Sequence, residues 1–185
     1  QLDGKDVSVV PKLLLEYIMD ERADKNNITY EVVSITAIAA RYEALLENQI
    51  DSVIFTEPQA TALKMNGAHV LASSTEYGIK GGTILFSDDT VAERSTDITA
   101  FYRAYNKAVD YMNTADPAEY SSILKDYNFP ETMGDYLTNK EEDYNKAAIV
   151  TKEQYDSIEK WTKAKEMISK EYTYKELTDF SMLEE

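Results

Sequence analysis

The chain lacks cysteine entirely and has a single histidine, His69, among its 185 residues. Without cysteine there is no disulfide framework, no thiolate nucleophile and no cysteine zinc site. His69 precedes the apolar pair Val70-Leu71, so we interpret it as the entry to a short strand and not as a metal ligand. We therefore predict no metal, no cofactor and no catalytic residues, and we do not expect an enzyme.

Positive charge is also scarce, because 19 Lys and Arg residues face 34 Asp and Glu residues and the formal net charge is −15. A charge of this sign repels phosphate backbones and anionic lipid headgroups at long range, so no nucleic-acid partner is expected. No apolar run approaches the ~18 residues that span a bilayer. The first residue is Gln and not Met, so we expect a mature or trimmed product whose targeting signal is not shown.

What the sequence does contain is an alternation of two periodicities between residues 6 and 72. β-Branched or apolar runs at residues 7–10, 28–35, 52–55 and 70–71 predict strands, and the stretches between them have helical spacing. Parallel strands need crossover helices, so this order predicts a small parallel sheet covered by helices. Apolar stripes predict two of the helices, with Leu14, Tyr17 and Ile18 in the first and Ile38, Tyr42, Leu45 and Leu46 in the second.

The pattern changes after Ser73, where three glycines interrupt it before another apolar strand is predicted at 83–86. Beyond that strand the chain is predicted to be nearly all helical. A long stripe runs from Ile98 to Met112, and capping boxes begin at Asp116, Thr151 and Thr173. We predict an α/β lobe over 4–77, a crossing between lobes at 78–82 and a mainly helical part over 83–185.

The most informative segment is residues 49–58, QIDSVIFTEP, which follows a predicted left-handed helix terminator at Asn48. It predicts a buried strand, followed by Glu57 and Pro58 at the start of another helix. Proline suits the first helical position, and a carboxylate is stabilised at the positive end of the helix dipole. Ligands bind at the carboxyl ends of strands in open α/β sheets, so Glu57 is either a ligand contact or a helix cap, and both interpretations stay open.

Five short sequence motifs follow one another along the chain: LDGKDV at 2–7, ALLENQIDS at 44–52, EP at 57–58, FYRAYNKAVDYMN at 101–113 and YKELTDFS at 174–181. In this order and spacing they resemble the type II periplasmic-binding-protein fold. The similarity is to the branch that serves ABC importers for nitrate, sulfonates, taurine and pyrimidine precursors of thiamine. The resemblance implies that residues 83–185 return to a first lobe whose N-terminal half is absent from this chain. It also implies a Gly/Ser/Thr-rich ligand loop after the first strand, where this chain has Val10-Pro11-Lys12-Leu13.

The function implied by the resemblance is that of a solute-binding subunit, exported to the periplasm or anchored by lipid to the cell surface. It would capture a small molecule and deliver it to ABC permease subunits. A carboxylate at the site favours an amine-bearing or heteroaromatic solute. Two alternatives stay open: a surface interaction module without a small ligand, and a pyrimidine-precursor synthase-like enzyme, which the absence of cysteine argues against.

The predicted ligand-binding residues fall into three groups. Glu57, with Thr56 beside it, is expected to accept a hydrogen bond from an amine or to balance its charge. Thr36 and Ala37 are expected at a strand-to-helix turn that faces the ligand. Ser73, Ser74 and Tyr77 are expected near the crossing between lobes. These residues also have structural interpretations: Glu57 and Thr36 as helix caps, Ser73 and Ser74 as hinge polarity, and Tyr77 as hinge packing.

Overall fold

The structure is a computed structural model that describes residues 2–79, 81–127, 129–140 and 142–183. The chain divides into two compact units. Unit 1 comprises Gln1–Gly81 and Lys160–Met167, and unit 2 comprises Gly82–Glu159 and Ile168–Glu185. Residue 80 of the predicted crossing lies outside the described residues, and the assignment of lobes over 4–77 and 83–185 stays a prediction.

Unit 1 contains a parallel three-stranded sheet. The strands are β1 (Lys5–Ser8), β2 (Tyr30–Val33) and β3 (Ser52–Val53), in the spatial order β2-β1-β3. The helices that follow them are α1 (Leu14–Asn26), α2 (Ile38–Leu46) and α3 (Gln59–Met65), and a 3-10 turn covers Ser74–Tyr77. This arrangement, with a mostly helical remainder, confirms the predicted α/β fold class.

The strand order places α1 and α2 on opposite faces of the sheet. From β1 to β2 the chain moves one position in one direction, and from β2 to β3 it moves back past β1. Both crossovers are expected to be right-handed, so a reversal of direction puts the second helix on the other face. Side chains from β1 and α1 form the core of the first face, where Val7, Leu2 and Met19 pack together.

β2 and β3 are shorter than their sequence patterns predict, β1 begins and ends two residues earlier than predicted, and two predicted strands are wrong. Residues 70–71 and 83–86 form no strand. Leu85 is 83% exposed and Val70 is 60% exposed. A β-branched or apolar run becomes a strand only where a neighbour offers a ladder of backbone hydrogen bonds, and β-propensity does not supply that neighbour.

The described part of unit 2 is helical, as predicted, with extended connections. Its helices are α4 (Asp88–Glu93), α5 (Ser95–Thr114), α6 (Pro117–Asp126), α7 (Thr132–Asn139) and α9 (Tyr174–Leu177). Helix α8 (Lys152–Ala164) begins in unit 2, and its last residues belong to unit 1. No helix in the described ranges combines the length and the apolarity needed to cross a bilayer.

Two of the three predicted capping boxes are confirmed. Thr173 and Glu176 bond each other's backbone N–H, and Thr151 and Gln154 do the same at the start of α8. The third is half right, because Asp116 caps α6 through the N–H of Ala118 while the carboxylate of Glu119 accepts from the hydroxyl of Tyr111. Side-chain caps therefore mark all three helix starts, even at α6, where Glu119 bonds Tyr111 and not the backbone of Asp116.

Candidate functional site

The candidate site lies at the carboxyl edge of the sheet in unit 1. Thr36 and Ala37 follow β2, and Thr56 and Glu57 follow β3. All four are exposed. Since the carboxyl ends of parallel strands lie at one edge, these residues flank the loop that leaves the central strand β1. The strand order reverses between β1 and β3, because β2 is added on one side of β1 and β3 on the other. Open α/β sheets bind ligands in the crevice at such a switch point.

Glu57 does cap a helix, with one of its two carboxylate oxygens. The Oε2 atom accepts a hydrogen bond from the backbone N–H of Thr61 in the first turn of α3, at 3.0 Å. The Glu57–Pro58 peptide is cis, and Pro58 occupies the N-cap position instead of the predicted first helical position. Because the side chain is exposed and Oε1 takes no part in this bond, the carboxylate can cap α3 and still accept a hydrogen bond from a ligand.

In the loop after β1, the backbone N–H of Lys12 already donates to the carboxylate of Glu16, so it is not available to an anion. Lys12 has a φ of 59°, and its N–H donates to Oε2 of Glu16 at 2.5 Å. Glu16 is only 5% exposed, and its other oxygen accepts from Lys165 Nζ at 2.8 Å. A negative group here would meet the Glu16 carboxylate, so this short loop is unsuited to the anion-binding role of a Gly/Ser/Thr-rich loop.

Sequence reasoning missed a polar cluster around Asp20 that joins α1 to the end of α8 within unit 1. Asp20 accepts from the hydroxyl of Tyr30 at 2.6 Å, from Trp161 Nε1 at 2.8 Å and from Lys165 Nζ at 2.9 Å. Burial alone would raise the pKa of Asp20, but these donors outweigh burial and hold the pKa below its ordinary value. No local signal could have found the cluster, since Trp161 lies 141 residues from Asp20.

The predicted residues near the crossing lie at the other end of α1. Tyr77 contacts the last turn of α1, where Asn26 Nδ2 donates to its hydroxyl at 3.4 Å and Lys25 Nζ lies 5.0 Å from its ring centroid. Helix α1 begins at the carboxyl edge of the sheet and ends near the start of β2, so Tyr77 lies at the amino edge.

Ser73 and Ser74 belong to the same segment as Tyr77. Ser73 caps the 3-10 turn, and its hydroxyl accepts from the backbone N–H of Thr75 at 3.4 Å. Ser74 is half-buried, and its carbonyl accepts from the N–H of Ile79. The predicted site residues are therefore divided between two edges of the sheet, and their ligand contacts stay predictions.

Arg41 is the second feature that sequence reasoning missed. It lies in the first turns of α2, is 4% exposed, and its guanidinium carbon lies 4.5 Å from the ring centroid of Phe55 in the loop after β3. Burial lowers its pKa from the ordinary value. The predicted stripe of α2 was wrong in part: Ile38 is 54% exposed, while Arg41 and Ala44 face inward. The sequence did carry one signal for this feature, because Arg41 stands among apolar residues one turn after the start of α2.

Metal-binding potential is low in the part of the chain that the structure describes, where no group of three or more His, Cys, Asp and Glu side chains could hold an ion. His69 is exposed and follows α3 in a segment that forms no strand. Its predicted place at the entry to a strand is therefore wrong.

Comparison with known families gives one match. The family model described as NMT1/THI5 like matches residues 1–120, which include the whole sheet of unit 1 and helices α1 to α6 as far as Tyr120. No curated protein matches the chain significantly.

Proposed function

The chain belongs to the NMT1/THI5 like family, which has the type II periplasmic-binding-protein fold, and from this membership we propose that it is the solute-binding subunit of an ABC importer. Family membership supports a solute-binding role in general. The import role, the solute and the partners are proposals that rest on the candidate site and on the family.

The observation that carries the proposal is the exposed polar rim at the carboxyl edge of the sheet. Thr36 and Ala37 on one side and Thr56 and Glu57 on the other flank the central strand at its switch point. Their exposure leaves their polar atoms accessible to a small molecule. We propose that this rim, and Glu57 in particular, binds the solute.

The solute that we propose carries an amine or a heteroaromatic ring with N–H donors. The free oxygen of Glu57 can accept such a donor while its partner oxygen stays on Thr61. An anion beside Glu57 and Glu16 would lose its hydration without gaining a counter-charge from either residue. We therefore place the donor-bearing end of the solute at Glu57.

We propose an exported protein, periplasmic or lipid-anchored at the cell surface, that presents its loaded form to ABC permease subunits. In this mechanism the solute binds the closed form of the protein more tightly than the open form and so shifts the population toward closure. The permease would then recognise the closed form. Non-enzymatic binding is part of the same proposal.

The experiment compares Glu57→Gln with Glu57→Ala, and uses Glu43→Gln as the control for charge because Glu43 is exposed on α2. An amide oxygen still accepts from Thr61, so Glu57→Gln should keep the cap and the melting temperature. It should weaken solute affinity by about 1.5 to 3 kcal/mol, or roughly ten- to a hundredfold. Glu57→Ala should also lose about 1 kcal/mol of stability.

Solutes are first screened by thermal stabilisation, with an aminopyrimidine, an aliphatic amine, an aminosulfonate and nitrate as the starting set, and affinity is then measured by calorimetric titration. Unchanged affinity in Glu57→Gln, together with a lower melting temperature in Glu57→Ala, would make Glu57 purely structural. If no solute stabilises the wild type, the interaction-module alternative is favoured, and turnover of a pyrimidine precursor would favour the enzyme.

A further inference from the structure

A cavity of unit 2 lies between the start of α8 and the segment that leads into α9. Its volume is about 330 Å³. Small molecules bind in pockets of about 300 to 1,000 Å³, so this cavity is large enough for a small ligand. Its lining residues come from 152–159 and 171–174, all within unit 2. The cavity is therefore separate from the candidate site at the carboxyl edge of the sheet in unit 1.

Three tyrosines line this cavity, and hydrogen bonds hold two of them by their hydroxyl groups. The hydroxyl of Tyr155 donates to the carbonyl of Tyr172, and the hydroxyl of Tyr174 donates to the carbonyl of Val150. The rings of Tyr155 and Tyr174 meet edge to face, with their centroids 5.7 Å apart. Because the hydroxyls are bonded and the rings pack on each other, the aromatic wall of the cavity is ordered before any ligand binds.

The backbone beside these rings is fixed by local pairing. One confirmed capping box begins at Thr151, four residues before Tyr155, and another begins at Thr173, directly after Tyr172. Capping boxes satisfy backbone donors that a helix start would otherwise leave unpaired. A ligand therefore has little chain to order when it enters the cavity, which lowers the cost of binding.

The charged groups that line the cavity are mostly acidic. They are the carboxylates of Asp156, Glu159 and Glu171 and the ammonium of Lys152, which pairs with Asp156. The whole chain has a formal net charge of −15. A negative field of this kind attracts cations and repels anions, so the expected ligand is positively charged.

The chain itself places an ammonium on one of the lining rings. Lys170 Nζ lies 4.4 Å from the ring centroid of Tyr172. Cation–π attraction operates within about 6 Å of a ring centroid, so this ring already stabilises a positive charge. Lys170 is not one of the described residues that line the cavity, so the part of Tyr172 that borders the cavity is open to a second cation.

We propose that this cavity binds a small organic ammonium ion. The tyrosine rings contact its methyl or methylene groups and attract its charge, and the carboxylates provide the counter-charge. A primary ammonium would also donate hydrogen bonds to those carboxylates. This site differs from the proposed solute site at Glu57, and neither depends on the other.

The direct test is a titration with tetramethylammonium chloride and butylammonium chloride. The controls are tert-butanol and 1-butanol, which have similar shapes without the charge, and sodium chloride at equal ionic strength. The aromatic signals of Tyr172, identified by their loss in Tyr172→Leu, are followed by NMR. We expect a saturable shift with at least one organic ammonium ion and none with the alcohols or with sodium.

Four variants separate the contribution of the ring from that of the charge. Tyr172→Leu removes the ring but keeps the carbonyl that accepts from Tyr155, and it should weaken ammonium binding at least about fivefold. Tyr172→Phe keeps the ring and should bind like the wild type. Glu159→Gln should weaken binding about three- to fivefold. The control Glu153→Gln removes the same charge from an exposed position of α8 outside the cavity lining and should change binding less than twofold.

The result that would overturn the inference is the absence of a saturable shift, equal binding of the neutral alcohols, or unchanged affinity in Tyr172→Leu and Glu159→Gln. Glu57→Gln should bind the ammonium ions as the wild type does. Affinity lost in Glu57→Gln and kept in Tyr172→Leu would place the ion at the carboxyl edge of the sheet, which would refute the cavity site and support the proposed solute site. Failure of the cavity site alone leaves the proposed function unchanged.

Discussion

Different kinds of polar contact stabilise the interior of each of the two units. In unit 1 the contacts join charged or aromatic side chains that are far apart in sequence, such as Asp20 and Trp161. In unit 2 they join side-chain amides to the backbone of an extended connection, as in the pair of 2.9 Å bonds between Asn113 and the backbone of Tyr144. We therefore expect the stability of unit 1 to depend on the pairing of its charged groups. The stability of the connection in unit 2 should depend on hydrogen bonds to its backbone.

This difference bears on where the protein can bind a solute. Unit 1 has enclosed charged groups beside an exposed polar rim, whereas one depression of unit 2 is an open apolar groove of about 250 Å³. The groove is lined by residues of α5, α6 and α7 and by the connections next to them, including Tyr105, Val109, Met112, Leu124, Leu137 and Tyr144. A specific polar solute needs oriented donors and acceptors, so the polar rim of unit 1 suits such a solute better than this apolar groove does.

The largest effect that would sharpen this comparison is expected from Lys165→Met in unit 1. The change leaves the Glu16 carboxylate, whose side chain is only 7% exposed, without its cation. Loss of one partner of a buried pair should lower the free energy of unfolding by about 3 kcal/mol, the lower end of the usual range because Lys165 is partly exposed. Urea unfolding measures the loss, and hydrogen exchange should show faster opening in α1 and β2.

The matched control is Lys152→Met, which removes an exposed pair with Asp156 in unit 2. Solvent screens that pair, so no measurable change is expected. An equal loss in both variants would contradict the view that burial makes the ion pairs of unit 1 important.

A smaller effect is expected in unit 2 from Asn113→Ala. The substitution removes both bonds to the backbone of Tyr144 and leaves a partly buried N–H and C=O without their partner. The free energy of unfolding should fall by about 1 to 2 kcal/mol. Hydrogen exchange should rise at residues 144–147 and not in the sheet of unit 1. Asn139→Ala, which removes only an exposed bond to the carbonyl of Asp135 in α7, is the control.

The smallest expected effect is a loss of the stability that Asp20 contributes, and it occurs only at acidic pH. The pKa of Asp20 is held below its ordinary value, so its contribution to stability is complete above the unfolded-state pKa of about 3.9 and is lost as the pH falls through the lower folded-state value. The difference in unfolding free energy between wild type and Asp20→Asn should be constant from pH 7 to about pH 5 and should shrink below about pH 4. Urea unfolding across this range measures it, and a difference that stays constant into acid would show that the carboxylate charge is unimportant.

Several features could be predicted because the residues that decide them are neighbours in the chain. The left-handed turn at Asn48, with a φ of 57°, ends α2 as predicted. The capping box of Thr173 and Glu176 begins α9, and the β–α alternation marks three strands and their helices. Glu57 was predicted to lie at a helix start, and its bond to Thr61 confirms that position. Periodicity, caps and turn residues act within a few positions, so the sequence contains them in readable form.

Tertiary structure decided which of those elements found partners. The order β2-β1-β3 makes β1 the central strand and creates the switch point, and residues 70–71 stay outside the sheet. Trp161 and Lys165 pack against α1 and give Asp20 and Glu16 their hydrogen-bond donors. The packing of α2 buries Arg41 and leaves Ile38 exposed. The sequence by itself determined the alternation of elements and the helix ends, because short-range sterics and hydrogen bonds govern them. Only the folded chain decided which charges are paired, because burial and long-range contacts arise from residues that are distant in sequence.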